Sequence, residues 1–154
     1  EAWLTLDFPA CPTHDAVPPA DMLQALDLSH YVNARKGRAW VIELESRQQV
    51  EALKPNISAM IPGEHKVSVT APGDGEYDFV SRFFSPGEAV WEDPVTGSAH
   101  TMLIPYWGEK LAKTQMLARQ VSARGGDIRC EWAGERVLMS GVARTYLQGK
   151  VLLD

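Results

Sequence analysis

The residues with the most chemical potential stand together in Glu92-Asp93-Pro94-Val95-Thr96-Gly97-Ser98-Ala99-His100. Pro94 pushes the backbone of Asp93 towards an extended conformation, so Asp93 lies outside any helix that follows. The chain then turns at Thr96-Gly97 and enters an apolar segment. The first N–H groups of a helix have no internal partners, and its macrodipole makes that end attractive to an anion. Gly97 carries no side chain to block a ligand's approach. A small carboxylate or phosphate can therefore sit on the amides of Gly97, Ser98 and Ala99, beside Thr96, with Asp93 close enough to exchange a proton.

Ordinary punctuation accounts for the same residues. Asp-Pro is common turn chemistry, and Thr96 or Ser98 can simply N-cap the helix. Two features favour a site. The helix that follows is apolar on all sides, which places its start near the core, and helix-end amides there need a partner. A hydrolytic triad of Asp93, Ser98 and His100 is disfavoured, because residues two apart on a helix do not face each other. Glu88 and Glu92 read as solvated loop acids. Arg82 reads either as a group that orients a carboxylate or as a strand-edge charge.

The elements that must position this stretch follow from periodicity. From Gly97 to about Lys113, apolar residues cover nearly every side of a helical wheel, and Pro105 and Gly108 are expected to bend this helix or break it in two. Before it, "HKVSVTAP" and "YDFVSRFF" alternate as strands around the hairpin turn Pro72-Gly73-Asp74-Gly75. Earlier still come a strand in "WLTLDF", a proline-rich connector, a short helix after Pro19, strands in "HYVNARK" and "AWVIELE", and a helix capped by Ser46. After it, "MLARQVSA", "DIRCEWA", "RVLMSGVA" and "RTYLQGKVLL" read as strands, with turns at Gly125-Gly126 and Ala133-Gly134-Glu135. The expectation is an α+β domain: a curved, mostly antiparallel sheet or barrel wrapped around a central apolar helix.

Bulk properties bound the function. At 154 residues the chain is the size of one domain. A net charge of −5, with the later basic residues scattered among acids and apolar residues, argues against nucleic-acid binding. No apolar run approaches the roughly 18 residues of a membrane span. Cys11 and Cys130 match no metal or redox spacing and read as reduced thiols of a cytoplasmic protein, and the isolated histidines give a metal site little support.

The stretch "DFVSRFFSPGEAVWEDPVTGSAHTMLIPYW" (78–107) resembles the PhzF family of phenazine-biosynthesis-like isomerases, as do 4–10, 117–126 and 136–153. The resemblance implies a diaminopimelate epimerase-like fold: two similar halves, each a curved sheet around a helix, with the ligand between the helix N-termini. It implies cofactor-independent proton transfer, with Asp93 at the position of a catalytic aspartate. The family's best-known reaction shifts a proton within a cyclohexadiene amino-hydroxy acid. Cys11 and Cys130 lie outside the motif, which disfavours two-thiol racemase chemistry.

The family's principal glutamate and its Gly-His turn belong to an N-terminal half, and neither is found here. Residues 1–154 are thus expected to be one C-terminal-type half, with strands at 1–10 and 142–154 bordering the other half. The expected partners are that half, a small carboxylate-bearing metabolite and, as is common in the family, a second copy in a homodimer. The alternative is a non-catalytic half-domain that binds a small anion or self-associates.

Overall fold

The computed structural model describes residues 3–151, and its architecture grows from strands buried on both faces. In Val67–Pro72 (β5) and Phe79–Phe84 (β6), alternate side chains serve two cores. Phe79 and Phe83 point to one face; Val67, Val69, Val80 and Phe84 point to the other. The two strands pair antiparallel around the turn expected at Pro72–Gly75.

The remaining strands are Trp3–Pro9 (β1), His14–Asp15 (β2), Asn33–Lys36 (β3), Trp40–Glu43 (β4), Glu92–Asp93 (β7), Gln115–Gln120 (β8), Gly126–Ala133 (β9) and Arg136–Val142 (β10). With β5 and β6 they form a ten-stranded sheet in the order β1-β10-β9-β8-β6-β5-β4-β3-β2, with β7 beside β6. The β4–β5 and β6–β8 pairs are parallel and the others antiparallel. The path ends at β1 and β2, so the described residues form an open sheet and not a closed barrel.

Helices Ala20–Ala25 (α1) and Arg47–Ala52 (α2) contribute Met22, Ala25 and Val50 to the core on one face. Ser46 caps α2 as expected, accepting from the Gln49 N–H. The other face carries Gly97–Leu111 (α3), which buries every residue from Ala99 to Ile104. Its side chains pack with residues of β4, β6, β8, β9 and β10, from Val41 and Phe79 to Met116, Ile128 and Met139.

Two expectations are corrected. First, α3 is one continuous 15-residue helix that passes through Pro105 and Gly108. Pro105 has no N–H to offer the carbonyl of Thr101, four residues earlier. The backbone N–H of Cys11 takes that carbonyl instead, at 2.9 Å. At Gly108 a Cβ would come within 2.6 Å of the Trp132 ring, so the glycine lets β9 pack closely rather than breaking the helix. Second, no strand forms over 144–151; these residues are exposed, and 152–154 lie outside the described residues.

Candidate active site

Strand alternation fixes the two acids that precede the turn. β7 pairs with β6 through Glu92–Phe84 and Asp93–Phe83, so the two carboxylates leave on opposite faces. Glu92 faces Arg82, which clasps it from Nε at 2.7 Å and Nη2 at 2.9 Å. The same guanidinium donates to the carbonyls of Val50 and Leu53 at the end of α2. Glu92 is thus a half-buried structural partner, not a solvated loop acid, and Arg82 is fully engaged within the fold. Glu88 is exposed and pairs with Lys66 at 2.6 Å, which holds its carboxyl below the usual range.

Among the described residues, none hydrogen-bonds or ion-pairs with the Asp93 carboxylate. It lines an open pocket of about 590 Å³ with Thr96, Ser98, Met102 and Arg38 among the walls. The loop carrying it is held from β8 by Gln120, a fully buried residue that sequence reasoning missed. The Gln120 amide nitrogen donates to the Asp93 carbonyl at 2.6 Å and to Thr96 Oγ1 at 3.1 Å, while its oxygen accepts the Thr96 N–H at 2.8 Å. Ser122 Oγ donates to the Pro94 carbonyl at 2.7 Å. Gly126 leaves room for Val95, whose Cγ2 lies 2.5 Å from where a Cβ would stand. A signal for Gln120 existed: it follows Met116 and Ala118 on the inward-facing positions of an alternating strand.

Because Gln120 occupies the Thr96 side chain, Thr96 makes no capping bond to the helix it precedes. Gly97 and Ser98 are exposed and Ala99 is buried, and no side chain reaches their amides. A Cβ on Gly97 would meet only open space. The structure therefore brings Asp93, Thr96 and Ser98 to one pocket, whereas Gly97 opens into a separate pocket with Val95 and His100, and Ala99 is buried at the same uncapped helix start.

His100 supports that start from within. It is fully buried, and its Nδ1 donates to the Thr96 carbonyl at 2.7 Å, while its backbone N–H reaches the same oxygen only at 3.4 Å. Donation from Nδ1 leaves Nε2 as a lone-pair acceptor, and Nε2 has no partner. Burial pushes the imidazole down to about 4, against the carbonyl bond that favours its charged form. The ring is thus neutral at ordinary pH and is no partner for Ser98.

Cys11 and Cys130 are both free, and burial pushes the Cys130 thiol up, away from thiolate chemistry. Among the described residues no group of three or more His, Cys, Asp or Glu side chains is placed to hold a metal ion, and no helix is long and apolar enough to cross a membrane.

An open, mostly antiparallel sheet thus presents the Asp93 carboxylate beside an uncapped helix N-terminus. The chain belongs to the phenazine biosynthesis-like protein family, whose model matches residues 11–149. It is 40% identical to an uncharacterized isomerase of Halalkalibacterium halodurans and 42% identical to one of Pseudomonas aeruginosa, covering 98% of this chain and 58% of each relative. A crystal structure of a PhzF-family phenazine biosynthesis protein from Enterococcus faecalis superposes with a TM-score of 0.87 at 38% identity, again over 98% of this chain and 58% of that one. The chain thus spans a little more than half the length of these relatives.

Proposed function

We propose that this chain supplies one half of the active site of a PhzF-like isomerase. The reaction shifts a proton on a small carboxylate-bearing metabolite. Asp93 exchanges the proton with a carbon of the substrate, and the substrate's anionic group rests on the amides of Gly97, Ser98 and Ala99, flanked by Thr96. Proton transfer beside a carboxylate requires a base and a seat for the developing charge, and neither role demands a metal or coenzyme. The observation that carries the reading is the unpartnered Asp93 carboxylate in the same pocket as Ser98 and the uncapped helix start.

The other half of the diaminopimelate epimerase-like fold covers the face on which Leu4, Leu6 and Phe8 lie 58%, 56% and 41% exposed. Apolar side chains in a row on an edge strand support such a partner. A homodimer and a cytoplasmic setting belong to the same reading, by family resemblance.

The test uses the protein with both halves present. In deuterated solvent the substrate gains deuterium at carbon, and Asp93→Asn lowers that exchange by about 10²–10⁴-fold, the usual scale for a positioned acid–base group. Unchanged exchange in Asp93→Asn removes the residue from the chemistry.

A second reading, a non-catalytic half-domain that binds a small anion or self-associates, is favoured by one observation. Asp93 is the only uncommitted acid of the pocket, since Glu88 is held by Lys66. Sedimentation as a monomer at high concentration, with no stabilisation by carboxylates, would sink it.

A further inference from the structure

Arg38 stands on the turn between β3 and β4 and, among the described residues, makes no hydrogen bond, ion pair or ring contact. Arg35, Arg47, Arg82, Arg119 and Arg136 are each held by a carboxylate. The side chain of Arg38 lines the pocket that also exposes Asp93 and Ser98. Three groups with strong chemistry and no partner thus open into one space.

The turn is held against the helix by close packing. A Cβ on Gly37 would lie 3.1 Å from Met102 Sδ and 3.0 Å from Thr13 Cγ2, so the glycine lets the β3–β4 connection approach α3 without displacing either side chain. Met102 is four residues after Ser98, on the same helix face one turn further along, and both line the pocket. Arg38 therefore enters the pocket beside the second turn of α3. The uncapped amides lie at the first turn, about 5.4 Å of helix rise away. The other charges of the pocket are accounted for: Lys66 and Glu88 neutralise each other at 2.6 Å.

We propose that Arg38 is a specificity-determining residue that holds a second acidic group of the substrate, so that the pocket selects small molecules carrying two acidic groups. This rests on the reading that the α3 amides seat the first. Backbone amides hold one anion without a formal charge. A guanidinium one turn away suits a further carboxylate, and the fork of Arg favours carboxylate geometry over that of a neutral group.

The test is a titration of the protein with both halves present, using acetate, malonate, succinate and glutarate at constant ionic strength, read from the amide resonances of Gly97, Ser98 and Ala99. The expected result is that the best-fitting dicarboxylate binds about tenfold more tightly than acetate, an advantage of a charge-assisted hydrogen bond at an exposed site. Arg38→Gln removes that advantage while leaving acetate binding in place, and Arg38→Lys retains part of it. Because Arg38 is exposed and unbonded, both variants keep the fold, which the rest of the spectrum reports. Equal affinity for acetate and every dicarboxylate, or an advantage that survives in Arg38→Gln, overturns the proposal and leaves the amide seat standing. If no carboxylate moves the three amides, the seat itself is refuted, and this inference with it.

Discussion

Gln120 holds Thr96 at both its backbone and its side chain, accepting the Thr96 N–H at 2.8 Å and donating to Thr96 Oγ1 at 3.1 Å. The consequence lies on the other side of Thr96. A threonine before a helix would ordinarily turn its oxygen to the helix amides. Held by Gln120, it leaves those amides open, and the same glutamine fixes the carbonyl of Asp93. One buried side chain on β8 thereby fixes the backbone at Asp93 and leaves the first amides of α3 uncapped.

Replacing Gln120 with leucine keeps the volume roughly constant but leaves the Thr96 N–H and the Asp93 carbonyl without partners. Each unsatisfied buried group costs about 1–3 kcal/mol, so the variant should lose about 2–4 kcal/mol in denaturant unfolding. A loss below about 0.5 kcal/mol would show that the loop holds itself.

His100 gives stability a pH dependence whose sign is fixed by its low proton affinity in the fold. Unfolded, the imidazole titrates near 6.5; folded, it does so at about 4. The unfolded chain binds the extra proton between these values, so stability is intact above pH 6.5 and falls as pH drops towards 4. The loss approaches about 3 kcal/mol at the lower end. Unfolding curves from pH 7 to pH 4, compared between the parent and His100→Gln, check this: the slope over that window should flatten in the variant.

Gly97→Ala separates the ligand's need for space from the protein's. Nothing within the fold meets a Cβ there, and the position needs no left-handed backbone. Thermal stability should stay the same or rise by up to about 1 kcal/mol, because the unfolded chain loses freedom. Carboxylate affinity should fall severalfold where an anion rests on the Gly97 amide, because the methyl group would stand beside it. Unchanged affinity by titration would show that the anion does not approach Gly97.

Pro105→Ala tests the continuity of α3. An interior proline ordinarily costs a helix about 3 kcal/mol, so its removal should stabilise. Here the Thr101 carbonyl already accepts from Cys11. The change in unfolding free energy should therefore stay within about 1 kcal/mol. A gain of 2–3 kcal/mol would mean that the Cys11 bond compensates for nothing.

Much of this architecture was legible in one dimension. Period-two alternation around Pro72–Gly75 marked β5 and β6, the Ser46 cap marked α2, and apolar residues on every side of 97–113 marked a buried helix. These signals are local, since side-chain direction repeats with the backbone and turn residues act where they stand. Asp93, Thr96, Gly97, Ser98 and Ala99 were legible as a candidate site for the same reason: they are neighbours in the chain.

What the sequence could not determine was which side chain meets which across long separations. Pro105 should break a helix, and only the Cys11 N–H, brought back from 94 positions earlier, explains why it does not. Glu92 looked like a loop acid until the antiparallel pairing of β7 placed it on Arg82. "RTYLQGKVLL" alternates like a strand, yet 144–151 form none, because alternation alone does not supply the neighbouring strand whose hydrogen bonds a strand requires. Gln120 and Arg38 each reach the site from another strand or turn, through contacts the linear order does not encode. Local conformation is set by neighbours in sequence. The pairing of distant polar groups, and thus which amides and carboxylates are left without a partner, is decided only when the sheet assembles against the helix.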